Sequence, residues 1–431
     1  MSTDAEASLS DTAQIRIYDT AKQQVVNFQP GQGPGGEVTI YVCGITPYDS
    51  AHIGHAAVCI TFDVLARRLE DAGWKVRMVR NVTDVDDDIL RKAKQLGVHY
   101  LDLAAEEIAG FRRDMGALGI KDVASEPRAT SAIPEILTLI DEVLQAGNAY
   151  LSGGGVYFDV SSYPSYGSLS HLEREEMLEL AKERGGRPED PCKRDPLDFV
   201  MWQPSAPDEP EWDSRWGPGR PGWHVECSAL AYRELGATID LHGGGADLIF
   251  PHHESESAQS EAAHGAPLAR HWMHVGMVRL QGEKMSKSLG NLVFVRDLLK
   301  TYDPREIRLA IESQHYRSSW EWSDELLEQA RERLRRWKEA ASRAHAAPGR
   351  ANDEQDGSLP ASEASELLEK VRQRLDDDLD LPGALLVIDE ATSHGEDPTR
   401  AAALLGVDLE RPIGLLSGSP LVENEVGGSH G

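Results

Sequence analysis

The sequence predicts an α/β protein: a Rossmann-like, parallel-sheet domain carrying an insertion, followed by a C-terminal helical bundle. Three observations carry this. A strand–helix–strand pattern runs from Val38 to Val79, the alternation breaks between residues 118 and 222 and resumes near Trp223, and from Pro304 onward the periodicity is helical only.

The elements follow in order. Residues 1–14 read as a flexible Ser/Asp/Glu-containing arm. Val38-Thr39-Ile40-Tyr41-Val42 reads as a strand that runs into a turn at Cys43-Gly44-Ile45-Thr46-Pro47. A helix from Gly54 to Asp71 is stopped by Gly73, and Lys75–Val79 forms a second strand that ends at Asn81-Val82-Thr83-Asp84. Such a βαβ unit implies a parallel sheet, whose ligands sit beyond the carboxyl ends of its strands. The first half of the sheet domain is therefore 15–117, the insertion 118–222, and the second half 223–300. Leu327, Ala330, Leu334 and Trp337 recur at helical spacing behind Ser323, a suitable N-cap. Residues 344–362 read as a linker, with a further helix pair from about Ala364 to Leu405. The helical domain spans 301–410, and 411–431 is a second flexible tail.

Composition narrows the function. No run of eighteen apolar residues exists, which argues against a membrane span, and the first fifteen residues lack the basic-then-apolar layout of a signal peptide, so a cytoplasmic enzyme is expected. Four scattered cysteines are too few for a disulfide scaffold and read as structural groups, catalytic groups or metal ligands. The net charge of −28 is unfavourable for holding a nucleic-acid backbone, although a local basic patch remains compatible with it.

Two short motifs carry phosphate chemistry. His52-Ile53-Gly54-His55 opens the first long helix, with two imidazoles on one helix face. A helix N-terminus presents unpaired N–H groups and a positive dipole end, and Gly54 lets a nucleotide approach the backbone. Lys284-Met285-Ser286-Lys287-Ser288 lies more than two hundred residues later. Alone, such a lysine pair reads as a solvated loop. Beside ATP, mobile lysines stabilise the charge that builds on the leaving pyrophosphate in the transition state. A third set, Cys43, Cys227, His252 and Glu256, offers two thiols, an imidazole and a carboxylate, with His252 and Glu256 one helical turn apart. By spacing alone it reads more readily as buried cysteines and a capping histidine than as a metal site.

Together and in this order, the His-Ile-Gly-His and Lys-Met-Ser-Lys-Ser motifs resemble the paired signature of class I aminoacyl-tRNA synthetases. Along residues 15–340 the chain is similar to the cysteinyl-tRNA synthetase family. The resemblance implies that His52, His55, Lys284 and Lys287 are catalytic. It implies one zinc per chain on Cys43, Cys227, His252 and Glu256, which selects the cysteine sulfur over the serine oxygen. It also implies a pocket for cysteine and adenylate made by Cys43, Gly44, Ile45, Thr46, Val58, Asn81, Val82, Thr83, Trp223, Gly245, Ala246, Asp247 and Val278. Asp247 is the natural acceptor for ribose hydroxyls, and Val278 lies near the adenine.

Within that family the chain resembles the mycothiol ligase branch. Cys43-Gly44-Ile45-Thr46-Pro47-Tyr48-Asp49 has the ligase form, and Glu183-Arg184-Gly185-Gly186-Arg187-Pro188 resembles a ligase segment in which Asp usually stands at the Arg187 position. After Asp376–Pro382 little chain follows, and it is acidic, where the synthetases continue into a basic anticodon-reading region. The branch implies L-cysteine, ATP with Mg²⁺ and an amino-sugar inositol as partners, with no tRNA, no membrane and a monomeric state. Glu at 256 and Val at 58 depart from the ligase pattern, so a cysteinyl-tRNA synthetase or a paralogue using another amine remains the alternative. A regulator without activity on the same fold is a further rival, opposed by the intact motifs. The acceptor pocket is expected between the insertion and the C-terminal helices.

Overall fold

The computed structural model describes residues 14–31, 36–285, 289–346 and 363–410. Ser286, Lys287 and Ser288 lie outside the described residues, as do most of both predicted tails and most of the predicted linker.

A hairpin of β1 (Arg16–Asp19) and β2 (Gln24–Asn27) precedes β3 (Val38–Ile45), α1 (Ile53–Asp71) and β4 (Val76–Val82). Helices α2 (Asp87–Leu96), α3 (Tyr100–Ala117) and α4 (Ile133–Ala146) lead into a smaller sheet. It comprises β5 (Ala149–Ser152), β6 (Gly155–Phe158), β7 (Phe199–Gln203) and β8 (Arg220–Pro221), with α5 (Arg174–Glu183) between β6 and β7. The main sheet resumes with α6 (Trp223–Leu235), β9 (Ile239–Gly245), α7 (Glu254–His264) and β10 (Ala269–Val275). Strands β11 (Val278–Leu280) and β12 (Glu283–Lys284), then α8 (Val295–Leu298), α9 (Pro304–Glu312) and β13 (Trp320–Glu321), connect to the long α10 (Asp324–Ala346). The chain closes with α11 (Glu363–Asp376), α12 (Leu381–Ser393) and α13 (Thr399–Leu404), three helices where the sequence suggested a pair.

The main sheet has the order β10-β9-β3-β4, and every pairing is parallel. The chain fills one side of β3 first and the other side later, so the strand order reverses between β3 and β9. That crevice, at the carboxyl ends, is where α/β sheets bind ligands. The apolar run of β3 is buried on both faces, as parallel strands are when both sides are covered. Alternation along the strands sorts the covers. Ile40 and Val42 face a core shared with α1 and α9–α13, whereas Tyr41 and Cys43 face a core shared with α4, α6 and the insertion. The insertion and the C-terminal helices therefore cover opposite faces of the sheet. The rear of α1 is held by charge as well: buried Arg308 donates to Asp63 Oδ2 (2.7 Å), Glu312 Oε1 (2.8 Å) and the carbonyl of Leu405 (2.8 Å).

Candidate active site

The crevice is built first by backbone contact. The β3–β4 register shifts between Val42 and Ile45, and a Cβ on Gly44 would fall 1.8 Å from the Asn81 carbonyl oxygen. Only glycine permits that approach, which lets the Gly44 N–H donate to Asn81 Oδ1 (2.8 Å) while Asn81 Nδ2 donates to Thr83 Oγ1 (3.2 Å). The strand persists through Ile45, so Cys43 lies within it rather than in a turn.

His52 caps α1 from an extended conformation. Its Nδ1 accepts from the Gly54 N–H (3.1 Å), and His55 Nδ1 accepts from the His52 N–H (3.4 Å). The two rings stack with centroids 3.8 Å apart. A Cβ on Gly54 would lie 2.9 Å from the His52 ring, so this glycine makes room for the histidine. Segment 293–295 docks on this helix start: the Ile53 N–H donates to Val293 O (3.0 Å) and the Val295 N–H to Ala51 O (2.9 Å). On the other side of the lysine motif, Lys284 pairs in register with Arg279, and Met285 is buried.

Cys43 on β3, Cys227 on α6, and His252 and Glu256 at the start of α7 converge, with ligand atoms within 4.8 Å of one another and all four residues buried. Glu256 Oε1 lies 2.9 Å from His252 Nε2 and accepts from Cys43 Sγ at 3.4 Å, while Oε2 lies 3.1 Å from His242 Nε2. Trp223 stacks on His252 with centroids 4.2 Å apart. Burial pushes the Cys43 thiol up, whereas the Cys43 hydrogen bond and His252 outweigh burial at Cys227 and bring it down to about 7. Against burial, Glu256 and Cys227 raise His252 to about 10. Two soft sulfurs, one nitrogen and one oxygen are the donor set of a tetrahedral zinc site. His242, His253, Glu256 and Cys43 form an overlapping set, which sequence reasoning missed.

A cavity of about 280 Å³ joins the two motifs. Its walls include Cys43, Cys227 and His252 at one end and His52, Gly54 and His55 at the other. Gly44, Ile45, Thr46, Val58, Asn81, Thr83, Trp223, Gly245, Asp247 and Val278 also line it. Two expected residues do not. Val82 points the opposite way from Asn81 and Thr83 by strand alternation and packs with Ile89 and Ala93. Ala246 opens a 3₁₀ turn beside the wall residues Gly245 and Asp247. Arg80 is a wall residue that sequence reasoning missed. Its guanidinium lies 4.9 Å from the Phe111 ring centroid and is paired with Glu126, and only its place at the end of β4 hints at the role.

A second cavity of about 660 Å³ adjoins the first. Its walls come from the insertion, from the start of α2 and from the start of α6. None of its wall residues belongs to the C-terminal helices, because those helices cover the other face of the sheet.

Comparison with known proteins agrees with this geometry. The family described as "tRNA synthetases class I (C) catalytic domain" matches residues 30–332. A protein of Acidothermus cellulolyticus named L-cysteine:1D-myo-inositol 2-amino-2-deoxy-alpha-D-glucopyranoside ligase is 46% identical over 402 residues, covering 91% of this chain and 95% of the relative. A Thermobifida fusca protein of the same name is 46% identical over 396 residues, covering 88% of this chain and 92% of the relative. Among solved structures, a Mycobacterium tuberculosis methionyl-tRNA synthetase in complex with methionyl-adenylate superposes with a TM-score of 0.61 at 19% identity, covering 86% of this chain and 88% of that one, a likeness of fold. The chain belongs to the class I tRNA synthetase (C) family, within the branch formed by these cysteine ligases.

Proposed function

We propose that the protein activates L-cysteine with ATP and transfers it to the amine of an amino-sugar inositol, the acceptor printed in the names of its relatives. The observation that carries this is the shared cavity: a soft-metal donor set and the His52/His55 helix start open onto the same space. Zinc held by Cys43, Cys227, His252 and Glu256 would supply a soft Lewis acid that binds the cysteine sulfur in preference to the serine oxygen.

The chain's own residues do the rest. In the first step the cysteine carboxylate attacks the α-phosphate of ATP, carried with Mg²⁺, and pyrophosphate leaves. The N-terminus of α1 and the stacked His52 and His55 receive phosphate, and Lys284 and Lys287 neutralise the departing charge. Asp247 accepts from the ribose, Val58 and Val278 flank the adenine, and Thr46, Thr83 and Trp223 fix the cysteinyl moiety. In the second step the amine attacks the adenylate carbonyl and AMP leaves. We further propose that the enzyme acts in the cytoplasm as a monomer without tRNA, its domains following the boundaries 15–117, 118–222, 223–300 and 301–410.

The description of the matching family favours one second reading, cysteine transfer to tRNA. Purified protein supplied with cysteine, ATP and either 1D-myo-inosityl 2-amino-2-deoxy-α-D-glucopyranoside or tRNA separates the two. Amide formation with the amino sugar is expected. Charging of tRNA at a matching rate, or the absence of amide, overturns the proposal.

A further inference from the structure

The motif at the end of α5, Glu183-Arg184-Gly185-Gly186-Arg187, is not used by the first step, yet all five residues line the larger cavity. The turn is held at both ends. The Gly186 N–H donates to the Ala181 carbonyl (2.8 Å), Gly185 takes a positive φ of 84°, and Arg184 Nη1 donates to the Phe250 carbonyl. Two further turns follow, in which the Asp190 N–H donates to Arg187 O (3.0 Å) and the Lys193 N–H to Asp190 O (3.1 Å). They bring Lys193, half-buried, onto the same wall.

Lys193 Nζ has neither a hydrogen bond nor an ion pair among the described residues. Asp190 and Asp198 act on its charge only from a distance, because the insertion itself engages both. Asp198 accepts from Tyr150 Oη (2.6 Å) and the Val160 N–H (3.0 Å). Asp190 accepts from Tyr157 Oη (3.2 Å) and the Cys192 N–H (2.9 Å). A half-buried cation without a partner costs free energy until acceptor atoms meet it. Thr46, Tyr48, Trp223, Asp247 and Leu248 line both cavities, so the two meet there. A molecule whose nucleophile attacks at that junction has the larger cavity, of about 660 Å³, for the rest of its body. Carboxylates outnumber cations on the larger wall, which disfavours a phosphate or carboxylate ligand. A neutral ring bearing hydroxyls fits, because each hydroxyl can accept from Lys193 or Arg187 and donate to Asp190.

Resting on the proposed ligase reading, we infer that Lys193 is a specificity residue: it donates to the hydroxyls of the acceptor ring remote from the amine, which the 183–187 turn encloses in the larger cavity. The role is one of binding. Lys193 takes no part in proton transfer or in the bond to the acyl carbon, and its loss acts on the choice of acceptor rather than on the activation of cysteine.

The test compares two nucleophiles on one enzyme. Hydroxylamine captures cysteinyl-adenylate and has no ring to seat, whereas 1D-myo-inosityl 2-amino-2-deoxy-α-D-glucopyranoside has one. Lys193→Met keeps the length of the side chain and removes its donors. At acceptor concentrations below KM, the ratio of amino-sugar transfer to cysteine hydroxamate formation should fall about 10-fold, the scale of a charged hydrogen bond. Lys193→Arg, which keeps a donor, should recover most of it. An unchanged ratio in Lys193→Met overturns the assignment. If Lys193→Met loses hydroxamate formation as well, Arg187→Trp decides, since it fills the cavity from an exposed wall position. A raised KM for the amino sugar in that variant supports the inference, and an unchanged KM overturns it. Inorganic phosphate that competes with the amino sugar in wild type but not in Lys193→Met would make this an anion site and overturn the inference too. Wild-type protein that forms hydroxamate but never the amino-sugar amide would overturn the ligase reading instead.

Discussion

The two adjoining cavities are built by different means. The smaller is walled by the ends of parallel strands and the start of α1, and behind its donor cluster Glu256 engages Cys43, His242 and His252 at once. The larger is walled by turns of the insertion and the first turns of α2 and α6, and it leaves Glu226 unpartnered. The lesson is a division of labour. Rigid elements hold the polar groups of the smaller cavity in fixed mutual contact, and the turns around the larger one leave room for a buried polar group without a partner among the described residues.

The comparison breaks first if the smaller cavity does not act as a unit. Cys227→Ala removes one sulfur from a buried four-donor set, so bound zinc and cysteine-dependent pyrophosphate exchange should both fall below detection. Metal analysis beside the exchange assay checks this. A variant that keeps exchange without metal would separate the donor cluster from activation.

Lys287→Ala comes next. It should lower exchange by about 10²-fold, the scale of one lost contact to transition-state charge, with little change in cysteine affinity. The role of Lys287 rests on sequence. Among the described residues on either side, Lys284 is paired in register on β12 and segment 293–295 is hydrogen-bonded to the start of α1.

Glu256→Gln sharpens the comparison at about 1–2 kcal/mol. The amide keeps the shape of Glu256 but loses the charge that His252 and His242 share. Zinc should be retained while cysteine-over-serine discrimination weakens by that amount. Paired exchange assays with the two amino acids measure it, and an unchanged ratio would make Glu256 a packing group only.

How much of this was legible follows the same division. The βαβ unit, the His52/His55 helix start and the four dispersed donors were readable, because strand and helix periodicity fixes where such residues project. The same rule turns the Val82 side chain, placed in the pocket by family resemblance, away from Asn81 and Thr83 into a separate apolar cluster. The larger cavity was not legible for a different reason. Which face of the sheet the insertion covers depends on long-range packing of Tyr41 against α4 and α6, and no local pattern records that. Glu226 sat in view between Trp223 and Cys227, but its lack of a partner exists only in three dimensions.

The smallest effect isolates the larger cavity. Asp86→Asn preserves the α2 cap, because an amide oxygen accepts from the Asp88 and Ile89 N–H groups as a carboxylate does. It removes only the charge. Burial raises Asp86 from 3.8 to about 6, with Asp87 adding to the rise and Arg220 and the Thr46 hydroxyl opposing it, while Tyr48 and Glu226 complete the ionisable surroundings. The folded chain thus holds this proton more tightly than the unfolded chain. Its stabilising contribution is complete below about 3.8 and is lost as pH rises through about 6. Above that pH an ionised Asp86 costs stability, by about 1 kcal/mol given the water that reaches a partly exposed carboxyl. Asp86→Asn should therefore melt slightly higher than wild type at pH 8, and the gap should close towards pH 4. Thermal melts at the two ends of the range measure this, and a variant whose melting matches wild type throughout would leave Asp86 as a helix cap whose charge carries no cost.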